Sequence, residues 1–208
     1  MRVDVAAGPP VEQARRVDNV LDADPGTDAA LVRALRAGDR DALAALFEQY
    51  ADRLYVHCFR RLGDYADAED AVSTVFLTLW RRRQRVQVHD GSAAPWLYGI
   101  ATNVCRNLDR SRRRHLRVVA RSSAAVDVDV PDPADDVAGR LADEQRMRSL
   151  LEQVATLSRG ERDVLALVIW SGLSYADAAA ALDLPIGTVR SRLARARARL
   201  SSTEGAGA

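Results

Sequence analysis

The spacing of apolar residues constrains this chain more than any other feature. From Asp41 onward, Leu43, Leu46, Phe47, Tyr50, Leu54, Cys58 and Leu62 recur at intervals of three and four, and the run stops at Gly63. At 3.6 residues per turn such positions share one face, so the spacing predicts a long amphipathic helix. A second face gathers Ala68, Val72, Val75, Phe76 and Leu79. A third, opened by Gly91 and Ser92, repeats Trp96, Ile100, Val104 and Leu108 every four residues. Runs of β-branched residues at period two are absent, and aromatics make up only 5%, which favours helix over strand. The expectation is an all-α protein of 208 residues whose 48% hydrophobic content suffices for compact cores.

Breakers and charge divide the helices into two groups. Residues 1 to 27 have no helical period and hold Gly8, Pro9, Pro10, Pro25 and Gly26, so they read as a flexible leader, with the first folded segment beginning near Asp28. Between Arg110 and Arg121 six arginines occur without an acid, and between Asp127 and Glu144 seven acids face Arg140 alone. Pro131, Pro133 and Gly139 are read as breaking any helix across that acidic stretch. The expected organisation is a leader at 1–28, a helical domain at 29–118, a flexible acidic linker at 119–143, a second helical domain at 144–201 and a tail at 202–208. Within the second domain the spacing predicts helices over 141–155, 159–171, 175–182 and 188–200. Ser158 with Glu161, and Ser174 with Asp177, fit the capping box that starts a helix.

The last two of these helices carry a pattern of their own in GLSYADAAAALDLPIGTVRSRLARARARL, Gly172 to Leu200. Ser174 caps one helix, Asp183-Leu184-Pro185 ends it, Gly187 permits a tight turn and Thr188 caps the next, which is the pattern of a helix-turn-helix. On a helical wheel Val189, Leu193, Ala196 and Leu200 form one stripe that must pack inward, and Ser191, Ala194 and Ala198 form a second, outward one. Arg190 and Arg197 border the small-residue stripe on one side, and Arg192, Arg195 and Arg199 on the other. A slim face rimmed by guanidinium groups can sink toward base edges while the arginines meet phosphate walls. A merely solvated face would interleave acids, and none occurs in this helix before Glu204.

Other chemistries find little support. The formal net charge is +1, so charge segregation, not overall charge, is the nucleic-acid signal. All 30 basic residues are arginine, a bias better ascribed to genome composition than to function. Cys58 and Cys105 form no C-x-x-C pair, and His57, His89 and His115 are scattered, so neither a disulfide framework nor a metal site is expected. No G-x-x-x-x-G-K-[ST], G-x-S-x-G or H-E-x-x-H occurs, so an enzyme is not expected, and no cofactor. No apolar run reaches membrane-span length and the N-terminus lacks a signal-peptide core, so a cytoplasmic protein without membrane insertion is expected.

Two stretches together resemble the extracytoplasmic-function sigma factors, small initiation factors of bacterial RNA polymerase. One is DAEDAVSTVFLTLW, Asp67 to Trp80, followed by APWLYGIATNVCRNLDRSRRR, Ala94 to Arg114; the other is the helix-turn-helix segment. The resemblance implies that 29–118 is the region 2 domain, binding core polymerase and the minus-ten element, and 144–201 the region 4 domain, binding the minus-thirty-five element. It makes Asp67, Glu69 and Asp70, with Phe76, candidate polymerase-docking residues, although carboxylates at a helix N-terminus also simply favour the dipole. It makes the helix from Pro95 the one that captures the opened minus-ten strand. Asn103 and Asn107 share a face away from the apolar stripe, where amides can bond an unstacked base, while Arg106 and Arg110 hold the backbone. Trp96 is a candidate wedge there, but a tryptophan on an apolar stripe is more often core. On the minus-thirty-five side it makes Arg190, Ser191 and Ala194 base-facing and gives phosphates to Arg192, Arg195 and Arg197, with Thr188 at the helix start. Ala194, Ala178 and Ala180 are smaller or less polar than the residues many relatives carry there. The implied partners are core RNA polymerase, promoter DNA and a cognate anti-sigma factor.

Two other functions fit the residues without the resemblance. A stand-alone helix-turn-helix regulator would bind a palindromic site tightly by itself. An adaptor with arginine-rich helices would bind any polyanion equally.

Overall fold

In the computed structural model, residues 25–121 and 135–204 are described, and among them the only β pairing is an isolated bridge between His89 and Ser92. Helix α1, Pro25–Ala37, turns at Gly38 (φ 91°) into α2, Arg40–Leu62, whose N-cap is Asp39. Asp39 accepts the backbone N–H of Asp41 at 2.8 Å, satisfying one of the donors that a helix start leaves unpaired. Gly63 ends α2 as the sequence predicts, in the left-handed conformation, and donates its N–H to the Phe59 carbonyl at 2.8 Å. Helix α3, Tyr65–Arg81, starts on the Asp64 cap, and a short 3-10 turn, Arg83–Arg85, leads toward α4, Ala94–Arg121.

After the undescribed stretch the chain forms α5, Asp135–Val154, and α6, Arg159–Leu165, then a single wide π-turn, Ala166–Trp170. Helices α7, Tyr175–Leu182, and α8, Ile186–Glu204, complete the fold. Both helix starts lie where the sequence puts them, with a complete capping box at Ser158 and a side-chain cap alone at Ser174. Ser158 donates its N–H to Glu161 at 2.8 Å, and Asp177 donates its N–H to the Ser174 hydroxyl at 3.0 Å.

Four boundaries differ from the sequence expectations, the first being α1, which starts at Pro25 inside the expected leader because proline is well suited to a first helical turn. Helix α5 begins at Asp135, inside the expected linker, and runs through Gly139. A lone glycine costs a helix only about 1 kcal/mol relative to alanine, too little to break one that has packing to gain; Pro131 and Pro133 lie outside the described residues. The helix expected over 159–171 changes to the π-turn at Ala166. Helix α8 starts at Ile186, because the Pro185 carbonyl already accepts the N–H groups of Thr188 (2.8 Å) and Val189 (3.2 Å). Thr188 is therefore in the first turn and not the cap, and the tight turn is made by Asp183, at φ 52°, and not by Gly187. Aspartate is among the few non-glycine residues that tolerate that conformation.

One continuous buried cluster runs through both groups of helices, from Leu35, Leu46 and Leu54 through Leu97 and Cys105 to Leu167, Val189 and Leu193. Phe47, expected in the α2 stripe, is 43% exposed, since it lies at the edge of the buried face set by Leu46, Tyr50 and Leu54. Asp28 is fully buried and ties three elements together. It accepts the Tyr50 hydroxyl, Gln49 Nε2 at 2.9 Å and the Ala93 N–H at 2.7 Å, so α1, α2 and the start of α4 share one carboxylate. Burial, reinforced by this bond to Asp28, pushes the Tyr50 phenol well above its ordinary pKa. Cys58 and Cys105 are free, buried neighbours, and their hydrogen bond, with burial, raises the Cys58 thiol pKa. No helix among the described residues is long and apolar enough to cross a membrane.

Candidate nucleic-acid interface

Helix α8 places its two stripes as the wheel predicts. Val189, Leu193 and Ala196 are buried, Leu200 is half-buried, and Ser191, Ala194 and Ala198 face solvent. The arginine rim divides. Arg190 and Arg197 are exposed, with the Arg190 guanidinium 5.9 Å from the centre of the Tyr175 ring at the start of α7. On the opposite side, Arg192 is half-buried over Gly160, where an added Cβ would stand 2.8 Å from its Nη1. Arg199 reaches Glu161 at 3.0 Å and Arg195 lies 3.9 Å from it. Glu161 is nearly buried, and its carboxyl pKa is lowered first by the Ser158 N–H, against the cost of burial, and further by Arg199 and Arg195. The acid missing from α8 is thus supplied by α6, which sequence spacing within one helix could not reveal. The Ser191 hydroxyl donates to the Thr188 carbonyl at 3.1 Å, and Thr188 is half-buried.

On α4, Asn103, Asn107 and Arg110 are exposed, as their helical spacing implies. Trp96 is half-buried against the core, and its buried Nε1 has no hydrogen-bond partner among the described residues. Arg106 is engaged. Its Nε and Nη2 donate to one oxygen of Asp163 at 3.0 and 2.6 Å, and its Nη1 donates to the Asn103 side-chain oxygen at 3.0 Å. Asp163, on α6, passed unnoticed in the sequence, because nothing local distinguishes it from other helix carboxylates.

The acidic candidates at the start of α3 also separate. Asp67 donates its N–H to Asp64 and pairs with Arg112 of α4 at 2.9 Å, whereas Glu69 and Asp70 are exposed. Phe76 is only 6% exposed and packs on Phe47, ring centres 4.8 Å apart. On α2 and α3 the large apolar side chains open to solvent among the described residues are instead Phe47 and Leu77, the latter 56% exposed.

Two exposed polar faces on separate helical units, one a helix-turn-helix, narrow the possible relatives. Sigma-70 region 2 matches residues 46–115, and Sigma-70, region 4, matches residues 147–200. The RNA polymerase sigma factor NccH of Alcaligenes xylosoxydans xylosoxydans is 31% identical over 183 residues, spanning 86% of this chain and 95% of NccH. The chain belongs to the extracytoplasmic-function sigma factors. Another member, SigK of Mycolicibacterium vanbaalenii, is 32% identical over 167 residues, covering 79% of this chain and 82% of SigK. Among solved structures, that of CnrH in complex with the cytosolic domain of CnrY has a TM-score of 0.63 at 26% identity, covering 88% of this chain and 99% of CnrH. As a sigma factor the protein directs promoter-specific transcription initiation, and its relatives are not enzymes in the catalytic sense. The two matched regions leave the acidic stretch between them unmatched.

Proposed function

We propose that α8 reads the minus-thirty-five duplex through Arg190, Ser191 and Ala194 with Arg197 on a phosphate, while α4 takes the opened minus-ten strand on Asn103, Asn107, Arg106 and Arg110. The observation that carries the reading is the outward face of α8, small and exposed between its arginines, with the opposite stripe buried. A thin face lets the helix approach base edges in the major groove, and a guanidinium fork is suited to guanine or phosphate. Arg192, Arg195 and Arg199 brace α8 on α6 and contribute to DNA chiefly as positive field.

Core polymerase docks on the α2–α3 surface, where the exposed Phe47 and Leu77 offer apolar contact and Glu69 and Asp70 offer charge. The protein acts in the cytoplasm. It is held inactive by a cognate anti-sigma factor; its solved relative CnrH was captured with the cytosolic domain of another protein, CnrY. A pull-down that recovers polymerase but never a stoichiometric inhibitor counts against that partner.

Run-off transcription with core polymerase on a library of randomised promoters tests the whole reading. Transcripts should depend on both elements and on added core enzyme. Tight binding by the isolated protein to a palindromic duplex would instead indicate a stand-alone regulator.

A further inference from the structure

The two helical units meet at a cleft of about 200 Å³ whose described lining is arginine and one aspartate. Arg110 and Arg114 come from α4, four residues apart and so on one face; Arg159 and Arg162 come from α6, three apart. Arg61 of α2 and Arg106 of α4 complete the basic lining and share the fully buried Asp163, at 2.8 and 2.6 Å. The acid in the lining itself is Asp109. Six guanidinium groups thus meet two carboxylates, leaving four positive charges in excess. Arg110, Arg114 and Arg159 have no carboxylate partner among the described residues.

Like charges gathered in a cleft repel one another, and the protein walls sharpen the field they create. An anion of several charges offsets that repulsion on both units at once. The space is well beyond the roughly 10–15 Å³ that holds one water, and guanidinium forks match phosphate oxygens in pairs. Among the described residues no aromatic ring or side-chain amide lines it, so it lacks the stacking platform on which single-stranded nucleic acid depends. A second cleft, of about 110 Å³, shares Arg61, Asp109 and Arg162 with the first and is walled by Leu62, Leu151, Leu165 and Trp170. Charge and apolar surface therefore adjoin, as the two ends of a nucleotide do.

We infer that the arginine cleft between α4 and α6 is a binding site for a small polyphosphate, a chain of linked phosphates either free or carried by a nucleoside. Arg106 and Arg110 are also assigned above to the opened strand, so the site is tested through Arg114 and Arg159, which carry no such assignment, and without promoter DNA.

The test uses the full chain at fixed ionic strength, with EDTA to exclude divalent metals. Thermal unfolding and calorimetric titration at 25 °C are run with orthophosphate, tripolyphosphate, a nucleoside triphosphate and a thymidine oligonucleotide. Tripolyphosphate at a hundredfold excess over its Kd should raise the melting temperature by about 5 °C, and orthophosphate by much less. Phosphate salts also stabilise folded proteins by exclusion from their surfaces, so the variants decide. Arg114→Ala with Arg159→Ala should weaken tripolyphosphate on the order of tenfold or more, as expected for losing charge-assisted contacts. Arg33→Ala with Arg85→Ala removes the same charge from exposed positions outside the cleft and should keep most of the affinity. A nucleoside triphosphate that binds tighter than tripolyphosphate identifies a nucleotide as the source, and equal binding identifies the phosphate chain alone. Equal losses in the two double variants, or equal effects of orthophosphate and tripolyphosphate, would overturn the site. Stabilisation through Arg114 and Arg159 by the oligonucleotide but not by tripolyphosphate would overturn it too, and give the cleft to a nucleic-acid backbone.

Discussion

Arg190 and Arg199 belong to the same helix and meet different surroundings. Arg199 is tied to the nearly buried Glu161, whereas Arg190 is exposed beside the ring of Tyr175. Arg190→Ala should therefore relax discrimination in the upstream element by about 1–3 kcal/mol, the worth of a good bidentate base contact, and leave stability nearly unchanged. Transcription from a promoter library reads the preference directly, and an unaltered upstream preference would remove Arg190 from the base-reading set. Sequence reasoning found both arginines because their positions on one wheel are local facts. It could not separate their roles, since Glu161 lies on another helix and its carboxylate arrives only through tertiary packing. The roles of Asp28 and Asp163 are hidden in the sequence for the same reason. Each is an ordinary acid in the sequence, and its weight comes from burial among distant donors.

Elements were legible wherever the local signal was strong. The α2 stripe and its Gly63 stop, the Ser158 and Ser174 starts, and the inward stripe of α8 all follow from spacing and capping chemistry. The π-turn at Ala166–Trp170 was not legible, because widening one turn serves contacts made far along the chain by Trp170 and Ser171. Nor was the early start of α5, where Arg140 lies 5.4 Å from the centre of the Tyr65 ring of α3, a partner no window on the acidic stretch contains. The α6 start carries a quantitative expectation. Ser158→Ala removes the hydroxyl half of a complete capping box and should cost about 0.5–2 kcal/mol in chemical denaturation; a midpoint equal to the parent's would show that packing alone holds α6. On α3 the expectation is opposite in kind. Leu77→Ala should leave stability within about 0.5 kcal/mol, as exposed substitutions do, yet weaken association with core polymerase. Undiminished recovery in a polymerase pull-down would move the docking surface away from α3.

At the scale of the molecule, the sequence led to two domains on a loose tether, and the structure packs them together on one continuous apolar cluster with a polar junction beside it. That junction makes closure sensitive to acid through His57. The imidazole is buried between α2 and the π-turn, with the Tyr98 ring edge-on at 5.1 Å, Ser171 on Nδ1, and Arg60 and Arg61 on its own helix. Burial, then the positive charge of Arg61 and Arg60, lowers its pKa from 6.5 to about 3. A group whose pKa falls on packing is neutral in the closed form at pH values where the opened form would protonate it. Its contribution is therefore complete above pH 6.5 and is lost progressively as pH falls from 6.5 toward 3. Glu161 loses its own contribution only below the ordinary carboxylate value of 4.5, so of the two groups His57 alone changes between pH 6.5 and 4.5. Stability to urea measured from pH 7.5 down to pH 5 should decline in the parent and stay flatter in His57→Gln, which cannot take up a proton. Scattering at the same pH values should show the radius of gyration rising in the parent before the helices melt. Equal slopes in the two proteins would mean that His57 takes up its proton as readily in the folded protein as in the unfolded chain, and a constant radius of gyration would place the seam of opening elsewhere than between α2 and the π-turn.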